Sequence, residues 1–223
     1  MRKLFFLISL LLIISCKNIE TKNKATDCTR TISLSENSIC LPLFQGMTEC
    51  YLNENIQKIV NNRIPKGSLG LGFYLNDKNY KEFQAEDERF FGDYLLFFST
   101  EVLMNRKVTY NQFSELASFD KLIKDDWTSI NNILKKEADD LLFDKPVIIG
   151  TYSLDKNHSS TIILTKYRDE NQDFFRITIS NCYLIKNKVI FSAYNDEYTD
   201  REVVQGIKKN NDYLALRFLQ ENE

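Results

Sequence analysis

The segment from Phe174 to Tyr194 reads FFRITISNCYLIKNKVIFSAY. Two alternating runs flank Lys186-Asn187, and asparagine tolerates the positive φ that a two-residue hairpin loop demands. The spacing predicts antiparallel strands over Phe174–Leu184 and Lys188–Tyr194. In the first run Phe175, Ile177, Ile179 and Tyr183 share one face and Arg176, Thr178, Ser180 and Cys182 the other, because successive side chains of a strand alternate. One face is expected to be core, the other wet or covered by a helix.

Upstream, Val147–Ser153 and Ser160–Tyr167 keep the same period, so a four-stranded meander begins after Pro146. Downstream, Val203, Ile207, Leu214 and Phe218 recur at helical spacing over Asp200–Gln220, with Asp200 placed to cap. That helix is expected to lie across the sheet. Nearer the amino end, Tyr94–Ser99 is continuously apolar, as a strand buried on both faces would be. Leu69–Leu75 reads as a strand entered through a turn at Ile64–Gly67. Gly70 and Gly72 are expected to point the same way and to admit close packing of another element. A phosphate-binding loop is not indicated, because the spacing and the lysine it needs are missing.

Thr31–Leu34 and Ile39–Pro42 read as a hairpin, and Thr48–Val60 as a helix with Cys50, Asn53, Ile56, Gln57 and Val60 on one face. Asn76–Phe91, centred on Glu86-Asp87-Glu88, reads as an exposed loop, and Asn111–Ile123 as a short helix. A stronger helix follows, with Trp127, Ile130, Leu134, Ala138 and Leu141 on a core-facing stripe. The class is α+β: a single α/β/α sandwich with a mainly antiparallel sheet and a carboxy-terminal helix packed on it. This order of elements resembles the PsbP-like sandwich, shared by a photosystem extrinsic protein, a Ran-binding nuclear-import factor and small bacterial proteins. The resemblance spans most of Thr31–Glu223 and transfers no functional residue. Its hosts are mostly binding or accessory proteins, which implies binding rather than catalysis.

The amino end carries Arg2 and Lys3, then an apolar run from Leu4 to Ile14 broken only by Ser9. This is the layout of a secretory signal, and the run is shorter than the roughly 20 residues a spanning helix needs. Ile13-Ile14-Ser15-Cys16 resembles the lipobox of bacterial lipoproteins. The resemblance implies removal of residues 1–15, diacylglyceryl on the Cys16 thiol and acylation of the new amino terminus, hence attachment to a membrane through lipid on Cys16. Lys17 stands where an aspartate would resemble an inner-membrane retention signal. The expected place is therefore the cell envelope, on the outer membrane and facing the periplasm. Residues 16–28 are polar and read as a flexible tether, leaving 29–223 as one domain.

The chain has 29 basic and 31 acidic residues, and without Arg2 and Lys3 the balance is about −4, which does not suggest nucleic-acid binding. Beyond Cys16 the cysteines are Cys28, Cys40, Cys50 and Cys182. Their spacing fits no zinc pattern, and the expected disulfide lies among Cys28, Cys40 and Cys50. No metal or cofactor is indicated. His158 is the only histidine, expected at a loop tip without the buried carboxylate that a catalytic triad requires. Glu86-Asp87-Glu88, Asp139-Asp140 and Asp196-Glu197 are paired acids of the kind a hydrolase uses, and adjacent loop acids are usually solvated surface. Tyr194, Asn195, Asp196, Glu197 and Tyr198 read as an aromatic-flanked connection before the last helix and the expected partner-contacting edge. The leading expectation is a non-enzymatic envelope lipoprotein that binds or assists an envelope protein. An immunity protein against a delivered toxin is the second reading and an acid-residue hydrolase the third.

Overall fold

In the computed structural model Lys186 and Asn187 take φ of 48° and 64°, the two left-handed residues of a tight hairpin. The structure describes residues 27–83, 92–117, 146–168 and 173–223. The signal, Cys16, residues 17–26 of the expected tether and the expected Trp127 helix lie outside them, as do Glu86-Asp87-Glu88 and Asp139-Asp140. Asp27 and Cys28, expected in the tether, belong to the domain, Cys28 opening its first strand and Asp27 bonding to Leu43 and Glu221.

The strands are β1 (Cys28–Leu34), β2 (Asn37–Pro42), β3 (Met47–Glu49), β4 (Ser68–Asn76), β5 (Tyr94–Thr100), β6 (Val147–Tyr152), β7 (His158–Arg168), β8 (Asp173–Ile185) and β9 (Lys188–Glu197). The helices are α1 (Glu54–Arg63), α2 (Asp77–Glu82), α3 (Glu101–Asn105), α4 (Tyr110–Ala117) and α5 (Arg201–Glu221). β3 to β9 form one sheet in the order β3-β4-β5-β9-β8-β7-β6 with every pairing antiparallel, and β1-β2 is a separate hairpin.

The alternation expected for β8 is observed. Ile177, Ile179 and Tyr183 enter a core with Ile190 and Tyr194 of β9, Phe97 of β5, the β1-β2 hairpin and Ile207, Leu214 and Phe218 of α5. Phe218 lies 4.7 Å from the Phe97 ring and 4.9 Å from Tyr183. The opposite face is covered in two places: Phe73, Leu75, Tyr94 and Leu96 meet Ile56, Ile59 and Val60 of α1, while Leu184 and Val189 meet Phe113 and Ala117 of α4. Helices on both faces make this an α/β/α sandwich with a mainly antiparallel sheet. Asp200 caps α5, its carboxylate accepting from the amides of Glu202 and Val203 at 2.8 and 3.1 Å.

Three elements differ from the sequence reading. The helix expected from Thr48 begins only at Glu54, behind an Asn53 cap whose Oδ1 accepts from Asn55 and Ile56. Residues before it pair instead, Met47 with Asn76 and Glu49 with Tyr74. A bulge between Gly70 and Gly72 turns the two glycines to opposite faces. A Cβ on Gly70 would fall 2.6 Å from the Tyr51 hydroxyl and one on Gly72 would fall 2.7 Å from Leu41 Cδ1. Both glycines admit close packing as expected, each of a different partner. Finally, Asp77–Glu82, expected as loop, is a helical turn capped by Asn76.

The first strand is tied to the last residues of the chain. Cys28 and Cys40 form a disulfide across the hairpin, which selects one pairing from the three expected cysteines and leaves Cys50 a buried free thiol. The Cys40 amide donates to Asn222 Oδ1 at 2.8 Å, and Asn222 Nδ2 donates back to the Cys40 carbonyl at 2.9 Å. Arg217 pairs with both Asp27 and Glu221, at 3.2 and 2.9 Å.

Candidate functional site

His158 is not at a loop tip. It opens β7 opposite Tyr183, is 2 % exposed and lies beneath α5 in a buried polar network. Its Nδ1 accepts from the Leu154 amide at 3.1 Å, so the neutral ring carries its hydrogen on Nε2, facing Asn181 Oδ1 at 3.2 Å and Ser160 Oγ at 3.0 Å. Ser160 in turn donates to Asn181 Oδ1 at 2.6 Å. A serine nucleophile needs a histidine nitrogen free to take its proton, and here the nitrogen beside Ser160 already bears one. Asn181 also donates to Ser192 and Asn211, Asn211 donates to the Tyr152 hydroxyl, and that hydroxyl donates to Asp212 at 2.6 Å. The network joins four strands, β6 to β9, to α5 and satisfies its own members, a structural role.

Burial holds the His158 imidazolium below its ordinary value of 6.5, against smaller opposing effects from Asn181, Asp155 and Asp212. The folded state thus binds that proton less readily than the unfolded chain, and the stability His158 contributes is complete above pH 6.5 and declines as pH falls below it. Urea unfolding at pH 7.5 and 5.5 is expected to show a larger loss for the wild type than for His158→Phe. Parallel losses would mean the ring is solvated.

The expected partner edge is redistributed. Tyr194 to Glu197 belong to β9, which lies inside the sheet between β5 and β8. Tyr194 is 2 % exposed in the core and Asn195 is 5 % exposed on the opposite face, so neither is a surface edge. Tyr198 is half-buried against the core, its amide bonded to the Phe175 carbonyl at 2.9 Å. Asp196 and Glu197 alternate along the strand and point to opposite sides, so this pair does not converge on one substrate. Burial raises the Asp196 carboxyl above its ordinary value.

Asn195 instead lines a cavity of about 510 Å³ on the sheet face that carries α1. Its floor comes from every second residue of β5, namely Tyr94, Leu96 and Phe98, with Phe73 of β4 and Ala193 of β9. One wall is the end of α1 with Ile64 and Pro65, and another is Tyr167 and Phe174, whose rings stack at 5.4 Å. The polar groups are few. Arg176 is 7 % exposed with its guanidinium 5.4 Å from the Tyr94 ring centre, and Thr178 donates to Asn195 Oδ1 at 2.6 Å. Arg63 stands at the α1 wall. An aromatic floor with a few convergent polar groups, in a volume of this size, has the composition of a small-molecule site. The sequence reading placed Arg176 and Thr178 on a shared face. It missed Tyr94, Phe98 and the α1 wall, which reach the cavity only through sheet order.

Among the described residues no group of three or more His, Cys, Asp or Glu is disposed to hold a metal, and no helix is long and apolar enough to cross a membrane. Burial pushes the free thiols of Cys50 and Cys182 up to about 12, so neither is a ready nucleophile.

No protein-family model and no curated protein matches the chain. Two solved structures are similar to it: the Ran-binding protein Mog1p of Saccharomyces cerevisiae, at 9 % identity over 86 % of this chain and 91 % of that one with a TM-score of 0.36, and a point variant of Mog1, at 9 % identity over 86 % and 92 % with a TM-score of 0.35. Neither likeness bears on what the cavity holds.

Proposed function

We propose that this chain is a lipid-anchored envelope protein, held through Cys16 to the outer membrane and facing the periplasm, which acts as a binding module rather than an enzyme. Its ligand site is the cavity between α1 and the stacked rings of Tyr167 and Phe174, and the ligand is a small amphiphile, apolar over most of its surface. The observation that carries this reading is the cavity's lining, an aromatic and aliphatic floor with Arg176, Thr178 and Asn195 gathered at one side. The lipobox-like Ile13-Ile14-Ser15-Cys16 supports the anchor.

Anilinonaphthalene sulfonate, an aromatic probe with one anionic group, tests the site. The folded protein is expected to bind it saturably at a single site. Ala193→Trp, which places an indole on the cavity floor, is expected to weaken binding at least tenfold while the melting temperature stays within a few degrees. Binding unaffected by that change would place the probe elsewhere and sink the assignment. The anchor is tested separately by labelling cells with radioactive palmitate: label is expected on the wild type and absent from Cys16→Ala.

A further inference from the structure

We propose that the domain rests on the phospholipid bilayer through the surface around its amino-terminal entry, with Leu43, Tyr213 and Leu216 as the apolar contacts and Lys209 the cation beside them. This rests on lipid attachment at Cys16. The entry point is fixed: the Asp27 carbonyl accepts from the Leu43 amide at 2.8 Å, the Asp27 amide donates to Glu221 at 3.2 Å and its carboxylate pairs with Arg217. The chain between Cys16 and Asp27 is ten residues, all polar except Ile19 and Ala25. Even fully extended, the eleven steps from Cys16 to Asp27 span at most about 40 Å, too short to round a domain roughly 40 Å wide, whose half-circumference is about 60 Å. The side of the domain where Asp27 enters is therefore the side turned to the membrane.

That side carries apolar groups facing water. Leu43 is 52 %, Tyr213 48 % and Leu216 42 % exposed. Leu43 and Tyr213 line the same open cleft as Asp27 and Arg217, and Leu216 follows Tyr213 by three residues on α5, so the two are neighbours on the helix surface. Lys209 precedes Tyr213 by one turn and is exposed. A tyrosine, two leucines and a lysine suit the headgroup boundary, where the aromatic ring sits at the interface and the lysine stem lies along apolar surface with its charge in water. Multiple acyl chains already secure attachment. What this surface adds is orientation.

The test uses the full-length chain in intact bacterial envelopes, with photoreactive benzoyl-phenylalanine placed at Tyr213, at Leu216 or at Ile148. Ile148 is 44 % exposed on β6, at the far edge of the sheet from β3. Irradiation is expected to give phospholipid adducts at positions 213 and 216 in at least tenfold excess over position 148, falling to the level of 148 in Cys16→Ala. Equal yields at 213 and 148 with palmitate present on Cys16 would overturn the orientation alone, as would adducts at 213 made only to another protein. Absence of palmitate on Cys16 would overturn the anchor and the orientation together, leaving the cavity untouched.

Discussion

Asn181→Leu is expected to lower the unfolding free energy by about 3–5 kcal/mol. Asn181 is 1 % exposed, and its amide meets Ser160 and His158 on one side and Ser192 and Asn211 on the other. Leucine has as many side-chain heavy atoms and is the bulkier of the two, so no cavity opens and the loss is not a cavity effect. It comes from leaving several buried donors and acceptors without partners, each costing about 1–3 kcal/mol before relaxation. Urea unfolding at pH 7.5, followed by circular dichroism, measures it. A loss below about 1 kcal/mol would mean that water enters beneath α5 and supplies the missing bonds.

Removing the disulfide is the second large effect. Cys28→Ser with Cys40→Ser reopens a loop whose ends lie 12 residues apart, and a closed loop of that length stabilises by about 3 kcal/mol through the entropy of the unfolded chain. The native state keeps much of the local geometry, because Cys40 remains pinned on both backbone groups by Asn222. The double variant is therefore expected to fold, with a melting temperature roughly 6–12 °C lower. Dithiothreitol should lower the wild type to the same point and leave the variant unmoved. A reductant-insensitive wild type would indicate that the bridge is absent in solution.

The strands were legible wherever a local rule decided them. Lys186-Asn187 announced its own turn, and the alternation put Ile177, Ile179 and Tyr183 together on one face before any partner was known. Asp200 announced the start of the last helix for the same reason, since a cap acts on the next three residues. Errors arose where a partner distant in sequence made the choice. Met47 to Glu49 are strand because β4 offers them a ladder. Gly72 faces Leu41 rather than Tyr51 because a bulge shifts its register. His158 sits among polar residues that look like a loop, and its burial depends on pairing with Tyr183 and on the helix laid above it. The same holds for Asn195: its polarity suggested a surface, while its strand runs through the middle of the sheet. The candidate cavity is non-local throughout, drawing its lining from α1, β4, β5, β7, β8 and β9.

The clasp between Asn222 and Cys40 bears on timing. A growing chain emerges amino end first, so the hairpin is made long before there is a residue 222 to hold it. Leu34, Ile39 and Leu41 of that hairpin wait equally for Phe218 and Leu219 to complete the layer they share. The hairpin cannot reach its final environment in stages; it must wait until α5 and Asn222 have been made and have folded back onto it.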